Sequence, residues 1–273
     1  MDKLGVIGKP SDWLIASDVD YKKVNELFDI ELVDVDIKEL IDRSKSITTE
    51  APVGLFNTSF NKKEIDKAYQ IYLALKDIIL SYKLDGITVR CFDLLDTLHS
   101  TSCLAFALLN KEGYIATCEG DIPSMISMYI VRKVYNLPTF QANPSRIDVD
   151  NNEIIFAHCT LPLSMCESYR FDTHYESGIG VGIKGELKEG HISIFKVSPD
   201  LTKYVLLGGE IKENLNESKL CRTQIIIKLN QDSDVKYFLQ RPLANHHLIF
   251  YSYETKVLKD YLNKRGLIEI KWK

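Results

Sequence analysis

The stretch Tyr114-Ile115-Ala116-Thr117-Cys118-Glu119-Gly120-Asp121-Ile122-Pro123 passes from a strand pattern into a helix pattern. The apolar run up to Cys118 has the length of a buried strand, and Pro123 is typical of the first turn of a helix. That helix is predicted to extend to about Tyr135. A strand followed directly by a helix is the repeating unit of a parallel sheet, so the stretch predicts an α/β fold. Glu119 then lies at the carboxyl edge of the sheet, where ligands bind in such folds.

The rest of the first half repeats this alternation of strand and helix. Residues 4–8, 31–35 and 84–91 are predicted strands. Apolar residues between 64 and 82 recur at i, i+3 and i+4, which predicts the longest helix. Residues 94–109 are predicted to form another helix, which Gly113 stops.

Short strands dominate after Pro138, and glycine or Asn/Asp turns separate them. Many short strands with such turns predict a barrel or a sandwich. We therefore predict a Rossmann-like parallel-sheet domain over residues 1–137 and a mainly antiparallel β-barrel-like domain over residues 138–273. The predicted strands of the second half are 154–157, 169–173, 180–185, 191–197, 204–210, 224–229 and 247–251.

Composition narrows the functional class. The chain of 273 residues has a formal net charge of −4 and 26% charged residues, with no dense Lys/Arg run, which argues against nucleic-acid binding. No apolar stretch reaches membrane-spanning length, and the N-terminus lacks the apolar segment of a signal peptide. The six cysteines form no C-x-x-C pair, which argues against a zinc–cysteine site and favours reduced thiols in the cytoplasm.

Three polar motifs flanked by apolar residues suggest a metal site. Glu119 follows one predicted strand, His158 follows another, and His246 precedes a third. One carboxylate and two neutral imidazoles would together bind a divalent metal. Each motif alone fits a simpler role: the histidines could be hydrogen-bonded core residues, and Asp121 could cap the helix that follows it. The three motifs together favour the metal.

Two further details concern a substrate. Adjacent strand residues point to opposite faces, so at most one of His246 and His247 faces a given site. The segment Thr173-His174-Tyr175-Glu176-Ser177-Gly178 fits either a plain turn or a substrate-contact loop. The glycine-rich run 178–182 has no helix after it, so we reject a dinucleotide fingerprint.

The order of these motifs resembles the L-fucose isomerase and L-arabinose isomerase superfamily. The resemblance rests on Ala116-Thr117-Cys118-Glu119-Gly120-Asp121, on Asn245-His246-His247-Leu248-Ile249-Phe250 and on Ala157-His158. Shorter matches to fucose-isomerase-like proteins are residues 5–15, Arg90-Cys91-Phe92-Asp93 and His174-Tyr175-Glu176-Ser177-Gly178.

The resemblance implies an aldose–ketose isomerase that uses Mn²⁺ or another divalent cation and forms a cis-enediol. It implies Glu119, His158 and His246 as metal ligands, with Glu119 also moving the proton. The second ligand carboxylate of the family falls at or near residues 141–143, which places Asn143 there as a metal ligand and catalytic position. Asp121, His174, Glu176 and His247 are the remaining residues expected to contact the sugar.

Two departures from the family leave alternatives open. An amide such as Asn143 can bind a hard cation but cannot accept a proton as a carboxylate does. From the resemblance we also expect this chain to correspond to the family's second domain onward; the family's first domain helps to build a neighbouring subunit's site. We therefore expect a homo-oligomer acting on a small-molecule sugar. The alternatives are an inactive sugar-binding or regulatory paralogue and a metal-dependent sugar aldolase or lyase.

Overall fold

The computed structural model describes residues 1–252 and 254–271. Within them, a four-stranded parallel sheet organises the first half, in the order β2-β1-β3-β4. Every residue of β3 and β4 is buried, as in a parallel sheet covered by helices. The strands are β1 (Asp2–Ile7), β2 (Ile30–Val35), β3 (Gly86–Val89) and β4 (Ile115–Cys118).

The helices of this half lie between and after the strands. The longest is amphipathic, as its spacing predicts, and it buries eight residues. The helices are α1 (Tyr21–Phe28), α2 (Ile37–Ser46), α3 (Lys62–Tyr82), α4 (Leu95–Leu98), α5 (Cys103–Glu112) and α6 (Ile122–Tyr135).

The single helix predicted over residues 94–109 is wrong. A 3₁₀ turn (Cys91–Leu94) leads into α4, and α5 begins only at Cys103. His99 ends α4 with a left-handed backbone, at φ 47°, and its N–H bonds back to Leu95 O. A left-handed residue at this position stops an α-helix, so the chain must begin a new one.

The second half forms a closed barrel. Six antiparallel strands run in the order β11-β6-β5-β12-β9-β10, and β11 pairs with β10 to close the ring. The predicted α/β class with a mainly antiparallel barrel is therefore confirmed. The elements are β5 (Phe140–Asp148), β6 (Glu153–His158), β7 (Ser168–Asp172), β8 (Gly182–Glu186), β9 (Gly190–Val197), β10 (Lys203–Asn214), β11 (Thr223–Leu229), α7 (Lys236–Gln240), β12 (His247–Phe250), α8 (Lys256–Asn263) and β13 (Ile268–Glu269).

Helix α6 joins the two halves. Its apolar side, including Ile122 and Met125, shares one core cluster with Phe195 of β9 and Leu248 and Phe250 of β12. Because α6 begins just after Glu119, this packing brings the carboxyl end of β4 against the barrel. The domain boundary at 137/138 stays a prediction. None of the helices in the described residues is long and apolar enough to cross a membrane.

Candidate functional site

The backbone after β4 turns sharply to present Glu119. Glu119 has φ 63° and Gly120 has φ 60°, so two successive residues adopt the left-handed conformation. A Cβ on Gly120 would lie 2.6 Å from Lys9 O, which makes glycine necessary there. Gly120 N donates to Val89 O at 2.9 Å and ties the turn to β3. A non-glycine residue held in this conformation is strained, and such strain concentrates at functional sites.

The Glu119 carboxylate is nearly buried between an indole and two imidazoles. Trp13 Nε1 donates to Glu119 Oε2 at 2.8 Å. Glu119 Oε1 lies 3.4 Å from His246 Nε2 and 3.9 Å from His158 Nε2. Burial raises the pKa of Glu119, but the charges and hydrogen bonds of His246 and His158 together lower it by more, so the pKa lies below its ordinary value. Glu119 is therefore ionised at neutral pH.

His246 is held from behind by a buried ion pair. Its Nδ1 lies 2.9 Å from Asp121 Oδ2, and Lys196 Nζ lies 3.0 Å from both Asp121 oxygens. Asp121 and Lys196 are fully buried, and Asp121 also caps α6 by accepting from Ser124 N at 2.7 Å. Burial lowers the pKa of His246, but Glu119 and Asp121 raise it to about 9. The helix-cap role is thus observed, and no Asp121 oxygen is left to contact a sugar.

The second imidazole faces the same carboxylate oxygen. His158 Nδ1 pairs with Thr160 Oγ1 at 2.8 Å, so Nε2 is the atom directed at Glu119. The rings of His158 and His246 lie 5.1 Å apart, centre to centre. Burial lowers the pKa of His158, which keeps its imidazole neutral and suitable as a metal ligand.

The donor set fits a divalent cation. His246 Nε2 is buried and makes no hydrogen bond, although it faces Glu119. A buried polar atom without a partner requires an explanation, and a missing ion is one. Carboxylate oxygen suits Mn²⁺ and imidazole nitrogen suits Zn²⁺ and other transition metals, so the set can hold a divalent cation.

A cysteine that the sequence analysis did not select also belongs to this cluster. Ligand atoms of Cys118, Glu119 and His158 all lie within 4.8 Å of one another. Cys118 Sγ is also 3.1 Å from Cys91 Sγ. The position of Cys118 in a strand was predictable. Its proximity to His158 was not, because the two residues are 40 positions apart in the sequence.

Asn143 lies on β5, where it pairs in register with Ala157 beside His158. Its side chain is half-buried and makes no hydrogen bond to any described residue. The neighbouring Gln141 instead bonds to the backbone of Cys118, with Oε1 accepting from Cys118 N at 2.8 Å. Gln141 therefore anchors the end of β4 to the barrel, while Asn143 remains free to contribute an amide.

A series of ring contacts connects the predicted substrate-contact loop to Trp13. His174 packs edge-on against Phe92 with ring centres 5.9 Å apart, and Phe92 stacks on Trp13 at 5.2 Å. His174 Nδ1 pairs with Ser177 Oγ at 2.9 Å, and its Nε2 lies 3.8 Å from Glu176. His174 and Glu176 thus flank the approach to Glu119.

Two residues that the sequence analysis did not select, Arg90 and Trp13, also lie beside this site. The Arg90 guanidinium lies 4.4 Å above the Trp13 ring, and Trp13 is 40% exposed at the entrance. Neither was a sequence candidate for the site. Arg90 follows β3 directly, as Glu119 follows β4, and that shared strand-end position is the signal that could have identified it.

His247 lies away from the site. It is fully buried inside the barrel, with Nε2 2.9 Å from Tyr237 Oη and Nδ1 3.3 Å from Asn245 O. The alternation along β12 places His246 at Glu119 and turns His247 into the core. Both of its nitrogens have protein partners in this structure, which leaves no free ring nitrogen for the sugar contact predicted from the sequence; that contact stays a prediction.

Comparison with curated proteins finds relatives that all carry the same name. The chain is similar to sulfoquinovose isomerases. It is 26% identical over 232 residues to one from Clostridium sp. (strain MSTE9), a match that covers 76% of this chain and 50% of that protein. A sulfoquinovose isomerase of Priestia aryabhattai is 25% identical over 224 residues, with the same coverage. That of Alkalicoccus urumqiensis is 19% identical over 273 residues, covering 94% and 62%.

The chain spans about half the length of these curated relatives from Clostridium and Priestia aryabhattai. No family model matches the chain. The comparisons therefore support a relationship to sugar isomerases, and the narrower fucose and arabinose isomerase assignment stays a prediction.

Proposed function

We propose that this chain carries the metal-binding site of an aldose–ketose isomerase. The observation that supports it most is one carboxylate oxygen, Glu119 Oε1, faced by the Nε2 atoms of His158 and His246, of which the second has no hydrogen-bond partner. The names of the curated relatives support the same reaction class.

Glu119, His158 and His246 would hold the metal, with the Asn143 amide as a further ligand. A cation held by these residues would supply Lewis-acid chemistry, which would polarise a sugar carbonyl and increase the acidity of the neighbouring C–H group. Other residues of the chain orient these ligands. Asp121 orients His246, Thr160 orients His158, and the Trp13 indole holds Glu119 Oε2. Such outer partners typically change metal affinity about 10–100-fold when they are removed.

Glu119 is also the proposed proton carrier. Its lowered pKa keeps it ionised, so it can accept the proton from one sugar carbon and return it to the next through a cis-enediol. Its burial limits access of water to that proton. Trp13, Phe92 and His174, whose rings contact one another in series beside Glu119, would line the approach of the sugar.

Sulfoquinovose, which the relatives' names specify, is the first substrate to assay, followed by a panel of unmodified aldoses and ketoses. The purified chain with Mn²⁺ would be incubated with each sugar in deuterated water and followed by proton NMR. We expect interconversion with deuterium entering at the carbon next to the carbonyl. Glu119→Gln should abolish this exchange, because an amide cannot carry the proton.

One observation favours a second candidate, a sugar-binding protein without catalysis. Asn143 stands where the resemblance places a carboxylate, and Cys118, Glu119 and His158 form a cluster with a single carboxylate. Binding of a sugar in calorimetry without deuterium exchange would favour this candidate. Cleavage into shorter products would instead indicate a lyase.

A further inference from the structure

The thiol of Cys118 gives the site a donor that Mn²⁺ does not prefer. Cys118 Sγ, a Glu119 oxygen and a His158 nitrogen lie within 4.8 Å of one another, and all three residues are buried. Thiolate and imidazole are ligands typical of Zn²⁺, whereas Mn²⁺ prefers oxygen. One sulfur, one nitrogen and one oxygen together resemble a three-ligand zinc site that leaves a fourth position open.

Other contacts leave these donor atoms available. His158 Nδ1 is engaged with Thr160 Oγ1, which leaves Nε2 for an ion. His246 Nε2 is buried, has no hydrogen-bond partner and lies 3.4 Å from Glu119 Oε1, so a cation held by Glu119 would have a further nitrogen beside it. The Cys91 thiol lies 3.1 Å from Cys118 Sγ, and this contact together with burial raises the pKa of Cys118, so the thiol keeps its proton until a cation binds the sulfur.

We propose that Cys118, Glu119 and His158 bind a thiophilic divalent cation, Zn²⁺ or Cd²⁺, and that this cation excludes Mn²⁺ from the site. When the cation binds, the Cys118 thiol releases its proton to solvent and a sulfur–metal bond forms, with no change of oxidation state. The competition with Mn²⁺ rests on the proposed function, because the two ions share Glu119 and His158. The thiolate site itself does not depend on catalysis.

Cobalt is the probe that distinguishes the two ligand sets. Co²⁺ bound to a thiolate gives an intense near-ultraviolet charge-transfer band, which oxygen and nitrogen ligands do not give. We expect titration of the metal-free chain with Co²⁺ to produce this band at one equivalent. Zn²⁺ should then remove the band at one equivalent, whereas Mn²⁺ should require a large excess.

Substitutions identify the cysteine whose sulfur gives the band. Cys118→Ser should lose the band while still binding Co²⁺ in calorimetry, and Cys118→Ala provides a second test if the serine variant does not fold. His246→Ala should keep the band, because His246 is outside the sulfur cluster. Cys166→Ser is the matched control, since that thiol bonds to Pro162 O elsewhere in the barrel half, and it should also keep the band.

The outcomes separate this proposal from the proposed function. Binding of Co²⁺ by the wild-type chain without a thiolate band would overturn the thiolate site, even if Mn²⁺ supports isomerisation. A band that persists in both Cys118 variants would overturn it as well. A band lost on Cys118 substitution, in a chain that shows no isomerase activity with Mn²⁺, would support the thiolate site and reject the isomerase.

Discussion

Asp121 Oδ2 lies 2.9 Å from His246 Nδ1, and this contact determines which nitrogen of His246 faces Glu119. An ionised carboxylate only accepts hydrogen bonds, so Nδ1 of His246 must carry a proton, and Nε2 is the nitrogen left for a metal. Nε2 is then directed at Glu119 Oε1, 3.4 Å away. A carboxylate behind a histidine is the usual arrangement for a metal-binding imidazole.

The first prediction concerns His246 and the metal. Mn²⁺ should raise the thermal midpoint of the wild-type chain, because a ligand that binds only the folded state stabilises it. His246→Ala should abolish the shift by removing Nε2. The measurement is a thermal melt with and without Mn²⁺.

The neighbouring histidine supplies the control. His247→Gln changes a residue that bonds to Tyr237 inside the barrel, so it should lower the midpoint without Mn²⁺ yet keep the Mn²⁺-dependent rise. A wild-type midpoint that stays constant across Mn²⁺, Co²⁺ and Mg²⁺ titrations would contradict the metal site.

The second prediction concerns the buried pair of Lys196 and Asp121. Lys196→Met leaves the Asp121 carboxylate without its cation and should lower the free energy of unfolding by about 3–5 kcal/mol. The double variant with Asp121→Asn should lose less, because no unpaired charge remains. Urea unfolding of the two single variants and the double variant measures this. If the double variant loses as much as the sum of the single changes, the two residues are not coupled.

The third prediction concerns position 143. Asn143→Asp adds a carboxylate beside the β6 end that carries His158, and it should tighten Mn²⁺ binding. If the amide limits proton transfer, turnover should also rise, by up to about 10²–10⁴-fold. Asn57→Asp adds the same charge at an exposed position and should change neither quantity. Unchanged affinity and turnover in folded Asn143→Asp would remove Asn143 from the site.

Local patterns explain which parts of the fold could be predicted. The strand before Glu119 and the helix after it were evident because apolar run length, Pro123 and the Asp121 cap are adjacent in sequence. The helices α1 and α2 were missed because both are short and polar. Their caps, Asp20 and Asp36, each accept a backbone N–H and were the available signals.

The site was harder to predict because its contacts are distant in sequence. Glu119 and Asp121 were candidates, yet the residues that hold them, Trp13 and Lys196, lie 106 and 75 positions away. A single sequence does not show which residues, far apart along the chain, lie close together in the fold. Lys196 did leave one signal, since a lysine in the apolar run 192–197 requires a buried partner.

The fourth prediction concerns pH and His174. Burial lowers the pKa of His174 to about 4, whereas an unfolded histidine titrates near 6.5. Between these values the unfolded state binds a proton that the folded state does not, so stability falls as the pH is lowered from about 6.5 to 4. In the metal-free chain, His174→Gln should reduce this loss, as measured by urea unfolding across that range. An equal slope in the variant would show that His174 does not cause it.

The last prediction concerns assembly, which the family resemblance implies and which we retain as a proposal. Several large apolar side chains of the α/β half are exposed, among them Ile15 at 64% and Val53 at 97%. Ile15 N bonds to Asn245 Oδ1 at 2.6 Å, so Ile15 lies beside the segment that carries His246. A partner subunit over Ile15 would bury apolar surface and shield the site from water.

We therefore expect a dimer or trimer in light scattering at tens of micromolar, well above the monomer mass of 31.2 kDa. A charge at the centre of such an interface is costly, so Ile15→Glu should shift the mass toward the monomer. Leu239→Glu is the matched control, because Leu239 is an exposed apolar residue of the barrel half, and it should leave the mass unchanged. A wild-type mass of 31.2 kDa would contradict assembly and leave any enediol intermediate at this entrance exposed to water.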